Sequence, residues 1–127
     1  MEKRCFTSEN APAAVGPYSH AVAADKMLFV SGQIPINPDG SGVVPGGIEE
    51  QSRRALDNLK LVLEDCGASL DSVVKTTVFL TDMGNFAAFN GVYGAYFTGE
   101  CPARACVAVA GLPLGVLVEV EAIALLS

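Results

Sequence analysis

Residues 116–126, VLVEVEAIALL, are apolar on both sides of an extended chain. In a strand, residues two apart share a face, so Glu119, Glu121, Ile123 and Leu125 point one way while Val118, Val120, Ala122 and Ala124 point the other. Neither set is polar enough to face water along its whole length. A sheet built around this segment therefore needs a cover on each face. Helices of the same chain can supply one, and with no further elements left over the natural second cover is another subunit. Composition points the same way. The set A, V, I, L, M, F, W, Y and C makes up 50% of the 127 residues before the 13 glycines are added, above the ~45–50% usual for soluble domains. The length suits a single domain, residues 1–127, with a real core. No apolar run approaches the ~18–20 residues of a spanning helix, so no membrane partner is expected and a homo-oligomer is.

The remaining elements follow from periodicity. Over residues 48–66, Ile48, Ala55, Leu56, Leu59, Val62, Leu63 and Cys66 recur at three- and four-residue steps. Glu49, Glu50, Arg53, Arg54, Asp57, Lys60 and Glu64 lie opposite them, giving an amphipathic helix with a solvated charged face, stopped by Gly67. Residues 73–80, VVKTTVFL, read as a strand broken by residues 81–84. Residues 85–97 read as a second helix with Phe86, Phe89, Tyr93, Tyr96 and Phe97 as its core positions. Earlier, residues 18–31 read as two strands about an Asp25-Lys26 turn, the second over residues 27–31. Residues 32–47, GQIPINPDGSGVVPGG, read as a long loop. Its Gly40-Ser41-Gly42 is not a phosphate loop, because Pro45 stands where the motif needs glycine and no Gly-Lys-Ser/Thr follows. The order β, β, α, β, α, β, β implies an α+β fold, a mixed sheet with two helices on one face.

Residues 102–110, PARACVAVA, set one guanidinium at the head of a run that otherwise reads as a buried strand. A buried cation needs a carboxylate partner, from the protein or from a ligand. If residues 104–110 and 116–126 pair as a hairpin, Glu119 and Glu121 are near Arg104, and on the residues alone a structural ion pair is the simpler reading. Cys106 sits between apolar neighbours with no histidine near in sequence to lower its pKa, so it is not expected to be a nucleophile.

Other chemistry is limited by what the chain lacks. Eight Lys and Arg stand against fourteen Asp and Glu, a formal charge of −6, and the longest basic runs are the pairs Lys3-Arg4 and Arg53-Arg54. Nucleic acid is therefore not an expected partner. Cys5, Cys66, Cys101 and Cys106 form no CxxC pair and read as four thiols, and with His20 the only histidine no metal site is expected. Residues 1–10 carry charge without a following apolar run, which points to the cytoplasm rather than to secretion.

Several segments together resemble the RidA/YjgF family of reactive-intermediate deaminases: SENAPAAVGPYSHA at residues 8–21, SGQIP at 31–35, residues 51–93 throughout, PARACV at 102–107 and VEVEAIA at 118–124. The likeness runs from about residue 7 to the end in one register, apart from a shorter connection at YFTGECPAR. It implies a chorismate-mutase-like α+β fold, a homotrimer with three clefts between subunits, and cofactor-free hydrolysis of 2-imino acids such as 2-iminobutanoate and 2-iminopropanoate to 2-keto acids and ammonia. Carried over by position, the family's carboxylate-binding arginine falls on Arg104 and its acidic residue on Glu119. Tyr18, Ser31, Asn90 and Cys106 match positions lining the cleft. On this reading the missing partner of Arg104 is a ligand carboxylate, gripped through two parallel hydrogen bonds, and Glu119 orients the attacking water. His20 where Gln or Gly is more usual, Leu114 in place of a frequent Lys, and the short loop at 98–101 bear on substrate preference. A non-enzymatic module of the same fold that senses keto or amino acids is the main rival. A nuclease, with one histidine and an acidic chain, is the weakest.

Overall fold

Helix α1 (Ile48–Asp65) forms where the apolar residues recur at helical spacing, and Ala55, Leu56, Leu59, Val62 and Leu63 on that stripe are fully buried in the computed structural model, which describes residues 2–127. Glu49 and Glu50 in its first turn favour the positive end of the helix dipole, and Glu50 also accepts the Gly47 N–H at 3.0 Å. The helix ends at Gly67, whose φ of +83° is left-handed. The N–H of Ala68 then reaches back to the Leu63 carbonyl at 2.8 Å and that of Gly67 to Glu64 at 3.1 Å, satisfying carbonyls the helix leaves open.

The helix lies on a sheet of six strands: β1 (Lys3–Phe6), β2 (Ala21–Ala24), β3 (Met27–Gln33), β4 (Val73–Leu80), β5 (Ala103–Ala108) and β6 (Val118–Leu125). Their spatial order is β1-β2-β3-β6-β4-β5. Neighbours are antiparallel except β4 and β5, which run parallel because helix α2 (Phe86–Tyr96) carries the chain back between them. The mixed α+β sheet is thus as expected from the element order, and among the described residues no helix is long and apolar enough to cross a membrane.

Five expectations change. β1 has no alternation to announce it; its short, exposed KRCF segment is held by the register Lys3↔Ala24 to Phe6↔Ala21. The next strand begins at Ala21, not at Tyr18. The hairpin of residues 104–110 with 116–126 does not form: β6 sits between β3 and β4, and β5 is an edge strand beside β4. β6, wholly apolar on its helix side, takes a central position with both edges paired, and β5 returns beside β4 by a parallel crossover through α2. Nor is 102–110 a buried strand, since Ala103, Ala105, Val107 and Ala108 are exposed in the protomer. Finally Phe86 is 37% exposed and not core. Phe89, Tyr93 and Phe97 are buried, and Tyr96 is half-buried with its hydroxyl donating to Asp57 at 2.7 Å.

The alternation of β6 divides the two faces as the sequence requires. Val118, Val120, Ala122 and Ala124 are buried under the helices with Leu28, Val30, Val78 and Leu80. On the other face Met27, Phe29, Val107 and Leu125 are exposed, an apolar surface with no cover from this chain.

Two buried amides of α1 tie down the loops that flank this open face. The Asn58 side chain, wholly buried, donates to the carbonyls of Ile34 and Ile36 at 3.1 and 2.9 Å and accepts from Arg54 Nε at 3.1 Å. Gln51 Oε1 accepts the Leu117 N–H at 2.8 Å, one residue before β6. Ser52, by contrast, buries a hydroxyl with no hydrogen-bond partner among the described residues. Asn58→Ala strands two carbonyls and is expected to lower unfolding free energy by about 2–4 kcal/mol. Ser52→Ala removes only an unpaired group and is expected to cost nothing or to stabilise. Urea titration of the two variants measures the contrast, and equal losses would refute it.

Candidate functional site

The open face carries a cleft at one end of β3 and β6. Pairing of these strands steps from Val30↔Ala122 to Gln33↔Val120, so one extra residue of β3 is accommodated by a bulge. The bulge breaks the two-residue alternation and turns both Ser31 and Gly32 toward the side that bears Glu119 and Glu121. Val15, Tyr18 and Pro113 complete a cleft of about 520 Å³. Its walls are braced from behind. Ser31 Oγ donates to the Ser19 carbonyl at 2.6 Å, the Ser31 N–H to that of His20 at 3.0 Å, and the Tyr18 hydroxyl accepts the Val15 N–H at 3.2 Å.

Glu119 lies across Gly32. A Cβ at position 32 would meet the carboxylate, coming within 2.8 Å of Cδ, so only glycine leaves the acid where it is. Burial, and secondarily the neighbouring Glu121, raise the pKa of Glu119 above the ordinary 4.5. A carboxyl held closer to neutrality is suited to taking a proton and returning it.

Arg104 is elsewhere. It stands opposite Thr76 in the β4/β5 register and packs on the helix side of the sheet, where its Nη1 donates to Asn90 Oδ1 at 2.8 Å. Its guanidinium carbon lies 4.8 Å from the centroid of the Tyr93 ring and 5.6 Å from that of Phe86. Among the described residues the ion pair within bonding distance is Arg53 with Glu49 at 3.5 Å, so Arg104 has no carboxylate of its own chain. Cys106 follows two residues on, and burial raises its thiol pKa, with the Arg104 charge opposing; it remains a thiol, as its neighbours implied.

The sequence-derived residues therefore fall into two groups. Tyr18, Ser31 and Glu119 line the cleft on the open face, while Asn90, Arg104 and Cys106 cluster at the β5 edge against α2. The proximity of Arg104 to Glu119 and Glu121 is overturned: β4 runs between them, with Glu119 opposite Phe79, and the two side chains leave the sheet on opposite faces. His20, expected from the sequence to bear on substrate preference, is 4% exposed and is held by hydrogen bonds. Its Nδ1 accepts the Ser8 N–H at 2.7 Å and its Nε2 donates to the Pro12 carbonyl at 2.9 Å, pinning residues 8–12 behind Tyr18. That segment is also held to α1 by Asp65, whose carboxylate accepts from Ser8 Oγ and from Asn10 Nδ2, bonds that lower its pKa. A larger cavity of about 680 Å³ between the helices is walled by Ala87, Ala88, Gly91 and Ala95, with Arg53 and Glu49 at its rim already paired, and gathers no free acid or base.

Sequence reasoning missed Gly32, Phe86 and Tyr93. Gly32 gave a signal in standing beside Ser31 before a proline-rich loop, but its contact with Glu119 crosses from one strand to another and is visible only in the fold.

Fold and site together define an α+β protein with a carboxylate cleft on an apolar sheet face and, behind that sheet, an arginine paired with no acid among the described residues. The chain belongs to the RidA/YjgF family, whose model, described as Endoribonuclease L-PSP, matches residues 8–126. It is 48% identical over 124 residues to a RutC family protein of Pyrococcus abyssi, covering 98% of each chain. It is 46% identical over 122 residues to the 2-iminobutanoate/2-iminopropanoate deaminase of Mus musculus, covering 96% of this chain and 90% of that one. The crystal structure of Escherichia coli TdcF with bound serine superposes with a TM-score of 0.92 at 40% identity, covering 98% of this chain and 99% of the other.

The raised pKa of Glu119 has a stability consequence. A group whose folded pKa lies above its unfolded value adds stability at low pH that is lost as pH rises through the folded pKa. Above it, the folded state carries a partly desolvated charge. Glu119→Gln removes that charge, so the melting temperature of the variant relative to the parent should be higher near neutral pH than below the ordinary value of 4.5. A difference that does not change with pH would show that Glu119 is not perturbed in the folded protein.

Proposed function

We propose that the protein is a homotrimeric, chorismate-mutase-like deaminase of small 2-imino acids, in which the arginine group of one protomer and the glutamate group of the next close a single cleft. The observation that carries this reading is the division of the six residues between opposite faces of one sheet. Neither half suffices: Arg104 can hold a carboxylate but has no base, and Glu119 can move a proton but has no cation beside it. A second copy seated on the exposed Met27, Phe29 and Leu125 surface would cover the face this chain leaves open and bring a second arginine group to the cleft.

The chemistry then follows from charge and position. The guanidinium takes the substrate carboxylate through two N–H donors and fixes the adjacent C=N carbon. Glu119 takes a proton from water as oxygen bonds to that carbon and passes it to the imine nitrogen, giving a carbinolamine. Glu119 then takes the hydroxyl proton as the C=O bond forms and gives it to the nitrogen as the C–N bond breaks, leaving a 2-keto acid, ammonia and the carboxylate as it began. No electron leaves or enters and no cofactor is required by the balance. The name of the mouse relative supports the substrate class. The serine bound to TdcF supports a carboxylate ligand and equally a second reading, a sensor that binds amino or keto acids without turnover. A net charge of −6 weighs against a nuclease.

Subunit complementation tests the proposal. Arg104→Ala and Glu119→Gln are each expected to lose hydrolysis of 2-aminoacrylate, followed by semicarbazide trapping, with the arginine variant falling by roughly 30- to several-thousand-fold for a lost 2–5 kcal/mol contact. Unfolded together at equal concentration and refolded, they should recover about a quarter of parental activity, because one interface in four then pairs an intact arginine with an intact glutamate. Mixtures that stay inactive while forming trimers would exclude a shared site. Tight binding of 2-oxobutanoate by a parent protein that never turns over the imine would establish the sensor.

A further inference from the structure

Arg104 is ordered without a carboxylate, and the side chains that order it form one structure. Phe86, Asn90 and Tyr93 stand at i, i+4 and i+7 on α2, one helix face. Two of them put an aromatic ring against the guanidinium and the third takes one N–H. Tyr93 cannot swing aside. It is 8% exposed, its ring lies 5.5 Å from Phe89 and 4.6 Å from Phe97, and its hydroxyl is 2.8 Å from Thr76 Oγ1. Thr76 is the residue directly opposite Arg104 on β4, so the strand position carrying the cation and the one anchoring its ring are neighbours.

We propose that Tyr93, locked by Thr76, is a positioning residue that with Phe86 forms an aromatic seat presenting the Arg104 guanidinium to the carboxylate of a 2-imino or 2-keto acid; this rests on the function proposed above. A ring face attracts a cation without consuming N–H donors or cancelling its charge. An acidic partner would do both, and a ligand would have to displace it. The seat therefore holds Arg104 still while leaving its remaining donors and its full charge for the substrate. Burial raises the phenol pKa of Tyr93, against smaller opposing effects of Thr76 and Arg104, so the ring stays neutral.

The test combines binding of 2-oxobutanoate by calorimetry with the Nε–H resonance of Arg104 by NMR. Tyr93→Phe keeps the ring and should leave affinity nearly unchanged. Tyr93→Leu should weaken it about 5- to 30-fold, the range of a desolvated cation–ring contact, and should remove the ring-current shift of the Nε–H signal. In an Arg104→Met background, which keeps an unbranched stem without the cation, the same leucine substitution should add almost nothing. A folded Tyr93→Leu protein with parental affinity and an unshifted Nε–H signal would overturn the proposal. So would an equal loss in the methionine background, which would mark a packing effect. If Tyr93→Leu does not fold, Phe86→Leu, at a ring already 37% exposed, carries the same cycle with a smaller expected loss. Arg104→Ala separates the two levels of inference: parental 2-oxobutanoate binding in that variant refutes the carboxylate reading, while the Arg104 Nε–H signal, compared between the parent and Tyr93→Leu, still decides the seat.

Discussion

Strand β6 must bury both of its faces, and most of the architecture follows from that demand. β3 and β4 pair with its two edges, and α1 and α2 cover Val118, Val120, Ala122 and Ala124. The faces are not equivalent, because Glu119 and Glu121 interrupt the apolar row on the side the helices leave open. A carboxylate on that side is tolerable only beside water or beside a cation, and burial already raises the pKa of Glu119. One strand therefore supplies the centre of the core, part of the apolar face this chain leaves open, and the acid of the cleft.

The cleft exists because regular structure fails at two places near that acid. The bulge in β3 turns Ser31 and Gly32 to the same side, where strict pleating would have sent Gly32 into the core. Irregular backbone is costly unless its polar groups find partners. Asn58 and Gln51 provide them from within α1, capturing the carbonyls of Ile34 and Ile36 and the N–H of Leu117. Across the turn from Leu117, Leu114 holds a left-handed φ of 58° that a side chain adopts at some cost, next to cleft-lining Pro113. The apolar face of α1 makes the core while three polar positions on the same helix serve the site's loops.

Features governed by local periodicity were legible before the fold was known. The two helices, the strand at residues 73–80 and the alternation of β6 lie where spacing put them, because each is decided by which residues must face the core. Pairing partners were not legible. Nothing in PARACVAVA distinguishes a strand that pairs with its sequence neighbour from one that returns beside β4, and the hairpin reading joined Arg104 to Glu119 for want of that information. β1 was invisible for a different reason: an exposed four-residue edge strand has no buried face to impose a pattern. Arg104, Glu119, Tyr18, Ser31, Asn90 and Cys106 were reached through resemblance. Gly32 and Tyr93, which act through another side chain, could be reached only through contacts between elements.

Separating the acid from the arginine within one chain also resolves a difficulty that a single-chain site would face. Had the two shared one face of one protomer, they would have formed a salt bridge, depressing the glutamate pKa, neutralising the guanidinium and leaving a ligand to break the pair before binding. With β4 between them each keeps the state it needs. Glu119 is pushed toward protonation by burial and Glu121, and Arg104 rests on ring faces that leave its charge intact. On a chain of net charge −6, which disfavours the approach of an anion at long range, an uncancelled cation must act within a screening length of roughly 8–10 Å. The proposed cleft assembled from two copies would satisfy both conditions, because acid and cation would then meet only with the carboxylate of a ligand between them.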